Sequence, residues 1–232
     1  MIVNGLQKLT LLDFPGKVAC TVFFAGCNFR CPFCHNAPLV LSPGKSEQIA
    51  EEPVLAFLKK RQGILDGVCI TGGEPLLQTA LPSFLAKVRA LGYAVKLDTN
   101  GYFPERLQNL VDAGLLDYIA MDVKNSPEKY PETIGVSTLD LSPVFQSVEY
   151  IRSCGVPYEF RTTVVKGLHA AQDMVSLAGW LAGAEHYFLQ SFVDSGDTIM
   201  PGLSACTPAE MQEFLAIVRE KVPNAELRGI SA

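Results

Sequence analysis

Three cysteines fall within eight residues of this chain, at Cys27, Cys31 and Cys34. They stand in the run Gly26-Cys27-Asn28-Phe29-Arg30-Cys31-Pro32-Phe33-Cys34-His35-Asn36, a C-x3-C-x2-C spacing. Thiolates favour soft metals, chiefly zinc and iron–sulfur clusters. A structural zinc site wants four protein ligands, and a purely redox cubane takes four cysteines, one per iron. No fourth cysteine lies nearby. Three thiolates on a four-iron cluster leave one iron open to a substrate. A zinc site completed by His35 is the competing arrangement. His35 directly follows Cys34, and adjacent residues rarely reach one metal comfortably.

Four further groups sit at the ends of apolar runs. Thr71-Gly72-Gly73-Glu74-Pro75 pairs two glycines, which let backbone approach a ligand closely, with a carboxylate able to accept from a ligand ammonium. Lys96-Leu97-Asp98-Thr99-Asn100-Gly101 and Met121-Asp122-Val123-Lys124 each bring a carboxylate beside a lysine. Helix capping and loop hydrogen bonding are their plain alternative. Arg161 lies inside the run Glu159-Phe160-Arg161-Thr162-Thr163-Val164. A charge there is costly to bury unpaired, so it must find an anion, either a protein carboxylate or, as favoured here, a ligand's.

The elements that carry these groups alternate. Strands are expected at 18–24, 67–71, 94–99, 118–123, 158–165 and 186–192, with a short last one at 225–230. Helices are expected at 49–62, 81–91, 104–113, 142–154 and 171–182, four of them closed by Gly92, Gly114, Gly155 and Gly183. Thr207-Pro208 opens another, with threonine as N-cap and proline in the first turn. Strands alternating with helices imply a parallel sheet with helical crossovers. The fold class is α/β, a partial (β/α)6 barrel in a single domain over residues 1–232. Residues 1–17 form an N-terminal extension packing on the barrel of 18–232. Ligands of such folds bind at the carboxyl ends of the strands, where every group above falls.

C-x3-C-x-aromatic-C with Phe33 before the last cysteine, after the first strand of a partial barrel, resembles the radical S-adenosylmethionine superfamily. The resemblance implies that Cys27, Cys31 and Cys34 ligate one [4Fe–4S] cluster. It implies that the open iron chelates S-adenosylmethionine, whose reductive cleavage yields a 5′-deoxyadenosyl radical. Gly72, Gly73 and Glu74 resemble that family's methionine-binding motif. Asp98, Asn100, Lys124 and Arg161 are then expected to contact the ribose, the carboxylate or a substrate backbone, with Asp98 and Asp122 sharing a cation.

The run Asn4-Gly5-Leu6-Gln7-Lys8-Leu9-Thr10-Leu11-Leu12-Asp13-Phe14-Pro15-Gly16-Lys17, with Cys34-His35-Asn36, is similar to the anaerobic ribonucleoside-triphosphate reductase activating proteins. These belong to the glycyl-radical-enzyme activases. That implies a large glycyl radical partner, the reductase, and flavodoxin or a similar reductant as electron donor. Residues 193–207 would border the groove that admits the partner's loop. No inserted ferredoxin-like cysteine cluster follows Cys34, so one cluster per chain is expected. Other readings are an activase of a formate-lyase type enzyme, a 7-carboxy-7-deazaguanine synthase, and a non-enzymatic iron–sulfur electron carrier. The last has no use for an open iron or for Gly-Gly-Glu-Pro.

Composition excludes several classes. The 232-residue chain carries 19 basic and 24 acidic residues, a net charge of −5, and no basic stripe that nucleic acid would require. No apolar run reaches a membrane-spanning length, and the N-terminus does not read as a signal peptide. Seven cysteines, an odd number, argue against a disulfide framework. A cytoplasmic protein is expected.

Overall fold

A computed structural model describes residues 1–230. Its strands are β1 (Ile2–Val3), β2 (Gly5–Thr10), β3 (Ala19–Phe24), β4 (Ile49–Ala50), β5 (Gly67–Gly72), β6 (Ala94–Thr99), β7 (Tyr118–Asp122), β8 (Tyr158–Val164), β9 (Tyr187–Ser191) and β10 (Ala225–Arg228). Its helices are α1 (Ala37–Leu41), α2 (Glu51–Lys60), α3 (Leu81–Ala90), α4 (Pro104–Asp112), α5 (Tyr130–Thr133), α6 (Ser142–Ser153), α7 (Ala171–Trp180) and α8 (Pro208–Arg219).

The main sheet has eight strands in the order β10-β9-β8-β7-β6-β5-β3-β2. Every neighbouring pair from β3 to β10 is parallel, and only β2 runs antiparallel, against β3. Six parallel strands, β3 and β5 to β9, are each followed by helix, and β10 adds a seventh parallel strand beside β9. Among the described residues no pairing joins β2 to β10, so this partial barrel is open at one side. The first ten residues are not loose: β2 is the sheet's antiparallel edge, and β1 pairs with β4 in a separate two-stranded ribbon.

The strands read as they do because both faces are covered. Ala19, Cys20, Thr21, Val22 and Phe24 of β3 are all buried, as are Val68, Cys69 and Ile70 of β5. Such unbroken apolar runs mark strands buried on both sides. Helix ends follow sequence chemistry. Acidic Glu51 and Glu52 open α2 and Lys59 and Lys60 close it, each sign complementing the helix dipole. At α8, Glu210 N donates to Thr207 Oγ1 at 3.2 Å and Thr207 N donates to Glu210 Oε2 at 2.7 Å, a reciprocal cap.

Two boundaries differ in an informative way. The helix expected over 49–62 begins only at Glu51, because Ile49–Ala50 is taken by pairing with β1. The proline-bearing loop after β7 contains a one-turn helix, α5, since proline is tolerated in a first helical turn.

Candidate functional site

The carboxyl ends of β3, β5, β6, β7 and β8 converge on one cleft. Its lining includes Cys27, Cys31, Cys34, Phe33, Gly72, Gly73, Asp98, Asn100, Asp122 and Lys124. Residues far apart in the chain, such as Asn36 and Thr163, meet there because parallel crossovers return every strand to the same end.

One wall is the cysteine loop. Backbone hydrogen bonds pin it from several sides: Gly26 N to Leu39 O (2.9 Å), Arg30 N to Ile134 O (2.8 Å), Glu74 N to Gly26 O (2.8 Å) and Met200 N to Pro32 O (2.9 Å). The Asn36 amide donates to Gly72 O at 2.8 Å, tying the loop to the glycine turn. The turn itself demands glycine. Gly72 has φ +126, and a Cβ there would lie 2.2 Å from Phe24 O; one on Gly73 would lie 1.9 Å from Gly26 O. The two loops are therefore packed backbone to backbone.

The three thiols share the same cleft. Cys27 Sγ accepts from Phe29 N at 3.3 Å and lies 3.8 Å from the Asn100 amide nitrogen, contacts that favour a thiolate. Burial pushes the free thiols up, Cys27 to about 11 and Cys31 to about 12, and Cys34 is raised for the same reason. The Lys124 charge acts on all three in the opposite direction. Neutral buried thiols near a cation bind soft metal by exchanging protons for it. Cys20 and Cys69 are fully buried in strands and outside this cleft. Among the described residues, no three His, Cys, Asp or Glu side chains converge to hold a single metal ion. The His35 ring instead stacks on Phe192, centroids 5.6 Å apart, and the Cys3His zinc arrangement is not formed.

The opposite wall is a ladder of charges across β6, β7 and β8. Lys96 pairs with Asp98, Arg161 Nε donates to Asp122 Oδ1 at 2.9 Å, and Arg161 Nη1 reaches Asp98 Oδ2 at 3.3 Å. Lys124 Nζ donates to Asp122 Oδ2 at 3.0 Å. Register explains the contact, since Asp122 is paired directly with Arg161. Burial alone would raise the Asp122 carboxyl, but Arg161 and Lys124 outweigh it and hold the group well below the usual carboxylate range. Burial would lower Lys124, yet Asp122 and Cys31 keep it firmly protonated. The Asp122 side chain still meets the cleft, with 30 % of its surface exposed.

Two of the expected contact residues are held by the protein itself. Arg161 is paired with the Asp98 and Asp122 carboxylates, and its guanidinium bridges the two. Glu74 is fully buried. Its carboxylate accepts from Leu76 N (3.0 Å), Thr99 Oγ1 (2.9 Å) and Asn100 N (2.7 Å), which staples the end of β5 to the end of β6. Burial pushes Glu74 up to about 7 despite those three donors. Gly72 and Gly73, by contrast, do face the cleft, as do Asp98, Asn100 and Lys124. Sequence reading missed the structural work of Asn36, whose only signal was an amide just after the last cysteine. His169 is a packing residue: its ring bonds the Lys124 carbonyl at 2.9 Å and the Val165 N–H at 3.1 Å.

Residues 21–178 match the sequence profile of the Radical SAM superfamily. A Methanocaldococcus jannaschii protein named as a glycyl-radical enzyme activating enzyme is 28% identical over 99% of this chain and 97% of its own length. The pyruvate formate-lyase-activating enzyme of Listeria monocytogenes is 29% identical over 70% of this chain and 68% of its own. In fold, Streptococcus suis SuiB bound to S-adenosylmethionine superposes with a TM-score of 0.67 at 14% identity, over 90% of this chain. This chain spans about half of SuiB, 52%. No helix among the described residues is long and apolar enough to cross a membrane.

Proposed function

From the premise that the chain belongs to the Radical SAM superfamily, we propose that it activates a glycyl radical enzyme, an anaerobic ribonucleoside-triphosphate reductase, by reductive cleavage of S-adenosylmethionine. Cys27, Cys31 and Cys34 would hold a [4Fe–4S] cluster, and the donor set fits: one buried and two half-buried thiols, N–H donors on Cys27, and a cation nearby. The chemistry such a cluster supplies when bound is one electron for cleaving the sulfonium C–S bond to a 5′-deoxyadenosyl radical.

The chain's own residues do the rest. The Gly72–Gly73 backbone, bare of side chains, lets the methionine end of the cofactor lie close. Lys124 offers an ammonium to a carboxylate, and Asp98 and Asn100 offer hydrogen bonds to hydroxyls. Asp122 keeps Lys124 charged and in place. Glu74 and Arg161 act one step back, holding β5 to β6 and β6 to β8. The unpaired side of the sheet leaves room for a peptide loop to enter. Val193 and Met200, 61% and 52% exposed on the segment tied to Pro32, give the groove an apolar rim.

The observation that carries the partner class is the end-to-end similarity to the archaeal protein named for glycyl-radical activation. The N-terminal run 4–17 supports the reductase in particular. A formate lyase partner is the second reading, favoured by the Listeria relative.

One anaerobic experiment tests both. The protein is reconstituted with iron and sulfide, reduced with flavodoxin or a chemical donor, and given S-adenosylmethionine with each partner. 5′-Deoxyadenosine with a doublet radical signal on the reductase supports the proposal. A doublet only on formate lyase transfers it to the second reading. Deoxyadenosine without any glycyl radical directs the search to small-molecule substrates.

A further inference from the structure

Three carboxylates reach Arg161: Asp122 at 2.9 Å, Asp98 at 3.3 Å and Glu159 at 3.8 Å. Each of the three also has a cation of its own. Asp98 pairs with Lys96, Asp122 with Lys124 at 3.0 Å, and Glu159 with Arg228 at 2.7 Å. Asp98, Asp122 and Lys124 belong to the cleft lining. Glu159 lies one layer further from the carboxyl ends of the strands. It is paired with Ala120, two residues before the Arg161–Asp122 pair on the same two strands.

The Glu159–Arg228 pair is the best formed of the set. Arg228 Nη1 donates to Glu159 Oε1 at 2.9 Å and Nη2 donates to Oε2 at 2.7 Å, a two-bond fork. The Tyr118 hydroxyl donates to Oε2 at 3.2 Å. Glu159 is 1 % exposed, so its charge needs those partners. The Arg228 guanidinium lies over the Phe188 ring, 3.3 Å from its centroid, which holds the fork in place. The residue is delivered by β10, the strand beyond the six that are followed by helix.

Arg161 has two alternative placements. It now donates from Nε to Asp122 and from Nη1 to Asp98, and only approaches Glu159 without a hydrogen bond. Without Arg228, Glu159 would be a buried carboxylate whose one remaining salt-bridge partner among the described residues is Arg161. Arg161 would then be drawn off Asp98 and Asp122, and Asp122 is the residue that holds Lys124.

We propose that Arg228 is a positioning residue for the cofactor site: by occupying Glu159 it keeps Arg161 on Asp98 and Asp122, and so keeps these carboxylates and Lys124 set to receive S-adenosylmethionine. The inference rests on the cofactor assignment of the proposed function. It gives β10 a task besides extending the sheet. It also makes the charge of Glu159, not the packing of Arg228, the agent of any loss.

The test is calorimetric binding of S-adenosylmethionine to the reconstituted full chain, without reductant or partner, so that affinity is read and not activity. Arg228→Met keeps an apolar stem over Phe188 and removes the cation. It should load iron as wild type does and bind about tenfold more weakly. Adding Glu159→Gln removes the competing charge, and the double variant should return to near wild-type affinity. A purely structural role would lower the unfolding temperature without this loss and recovery of affinity. Wild-type affinity in Arg228→Met overturns the inference, and so does a double variant that recovers none of the loss. If Arg228→Met does not load, Arg228→Gln decides. Its amide keeps a hydrogen bond to Glu159 but supplies no charge, and binding should weaken severalfold; wild-type affinity overturns the inference. A loaded wild-type protein that does not bind S-adenosylmethionine overturns the cofactor assignment instead, which separates the two failures.

Discussion

The two walls of the cleft differ in how their polar groups are satisfied. On the strand-end wall, charges answer charges: Lys96, Asp98, Arg161, Asp122 and Lys124 are all paired within the protein. On the cysteine-loop wall the backbone is pinned, but among the described residues the three thiols carry no ion pair, and the Asn28 amide nitrogen has no hydrogen-bond partner. A self-satisfied wall can position a ligand without changing when the ligand leaves. A wall with free soft donors is incomplete until something binds. The difference separates a self-paired wall from one with free donors more sharply than proximity to the cleft does.

The contrast is open to breaking, beginning with the largest effect. Cys31→Ala should abolish iron uptake and all S-adenosylmethionine cleavage, while the metal-free protein unfolds within a few degrees of wild type. Full iron content in that variant would mean Cys31 is no ligand. Arg161→Leu should do the reverse. It strips a partner from Asp98, Asp122 and Glu159, and should cost about 3 kcal/mol in denaturant unfolding. A loss below ~1 kcal/mol would show that Lys96, Lys124 and Arg228, which pairs with Glu159 at 2.7 Å, carry the ladder without it.

Gly73→Ala sharpens the seam between the walls. Its Cβ would meet Gly26 O, so the cysteine loop must shift, at about 1–3 kcal/mol, and cofactor binding should weaken with it. Binding measured by calorimetry at wild-type strength would show that the loop has slack. Glu74→Gln should have the smallest effect, and one that depends on pH. The folded carboxyl titrates near 7, above its ordinary value, so burying it favours the protonated form. That contribution to stability is fully present below about pH 4.5 and is lost as pH rises through 7. The difference in melting temperature between Glu74→Gln and wild type should therefore move in the variant's favour from pH 5 to pH 8. A constant difference would mean that the three donors keep Glu74 ionised throughout.

Much of the site was legible before any coordinates. The cysteine spacing, the paired glycines and the strand-end carboxylates are local patterns, and βα alternation requires that all of them share one end of the sheet. Direction was not legible. Glu74 and Arg161 look like ligand contacts because a charge near a strand end must find a partner. Which partner it finds depends on neighbouring strands far away in the chain.

The chain's sequence by itself determined the cysteine spacing, the βα order and the end of the sheet where those groups gather, because residue type and spacing are local quantities. Only the tertiary structure decided that Arg161 bridges Asp98 and Asp122 and that Glu74 staples β5 to β6. Those outcomes depend on inter-strand register and on which side chains are already satisfied, and both are set by packing between segments that no local pattern connects.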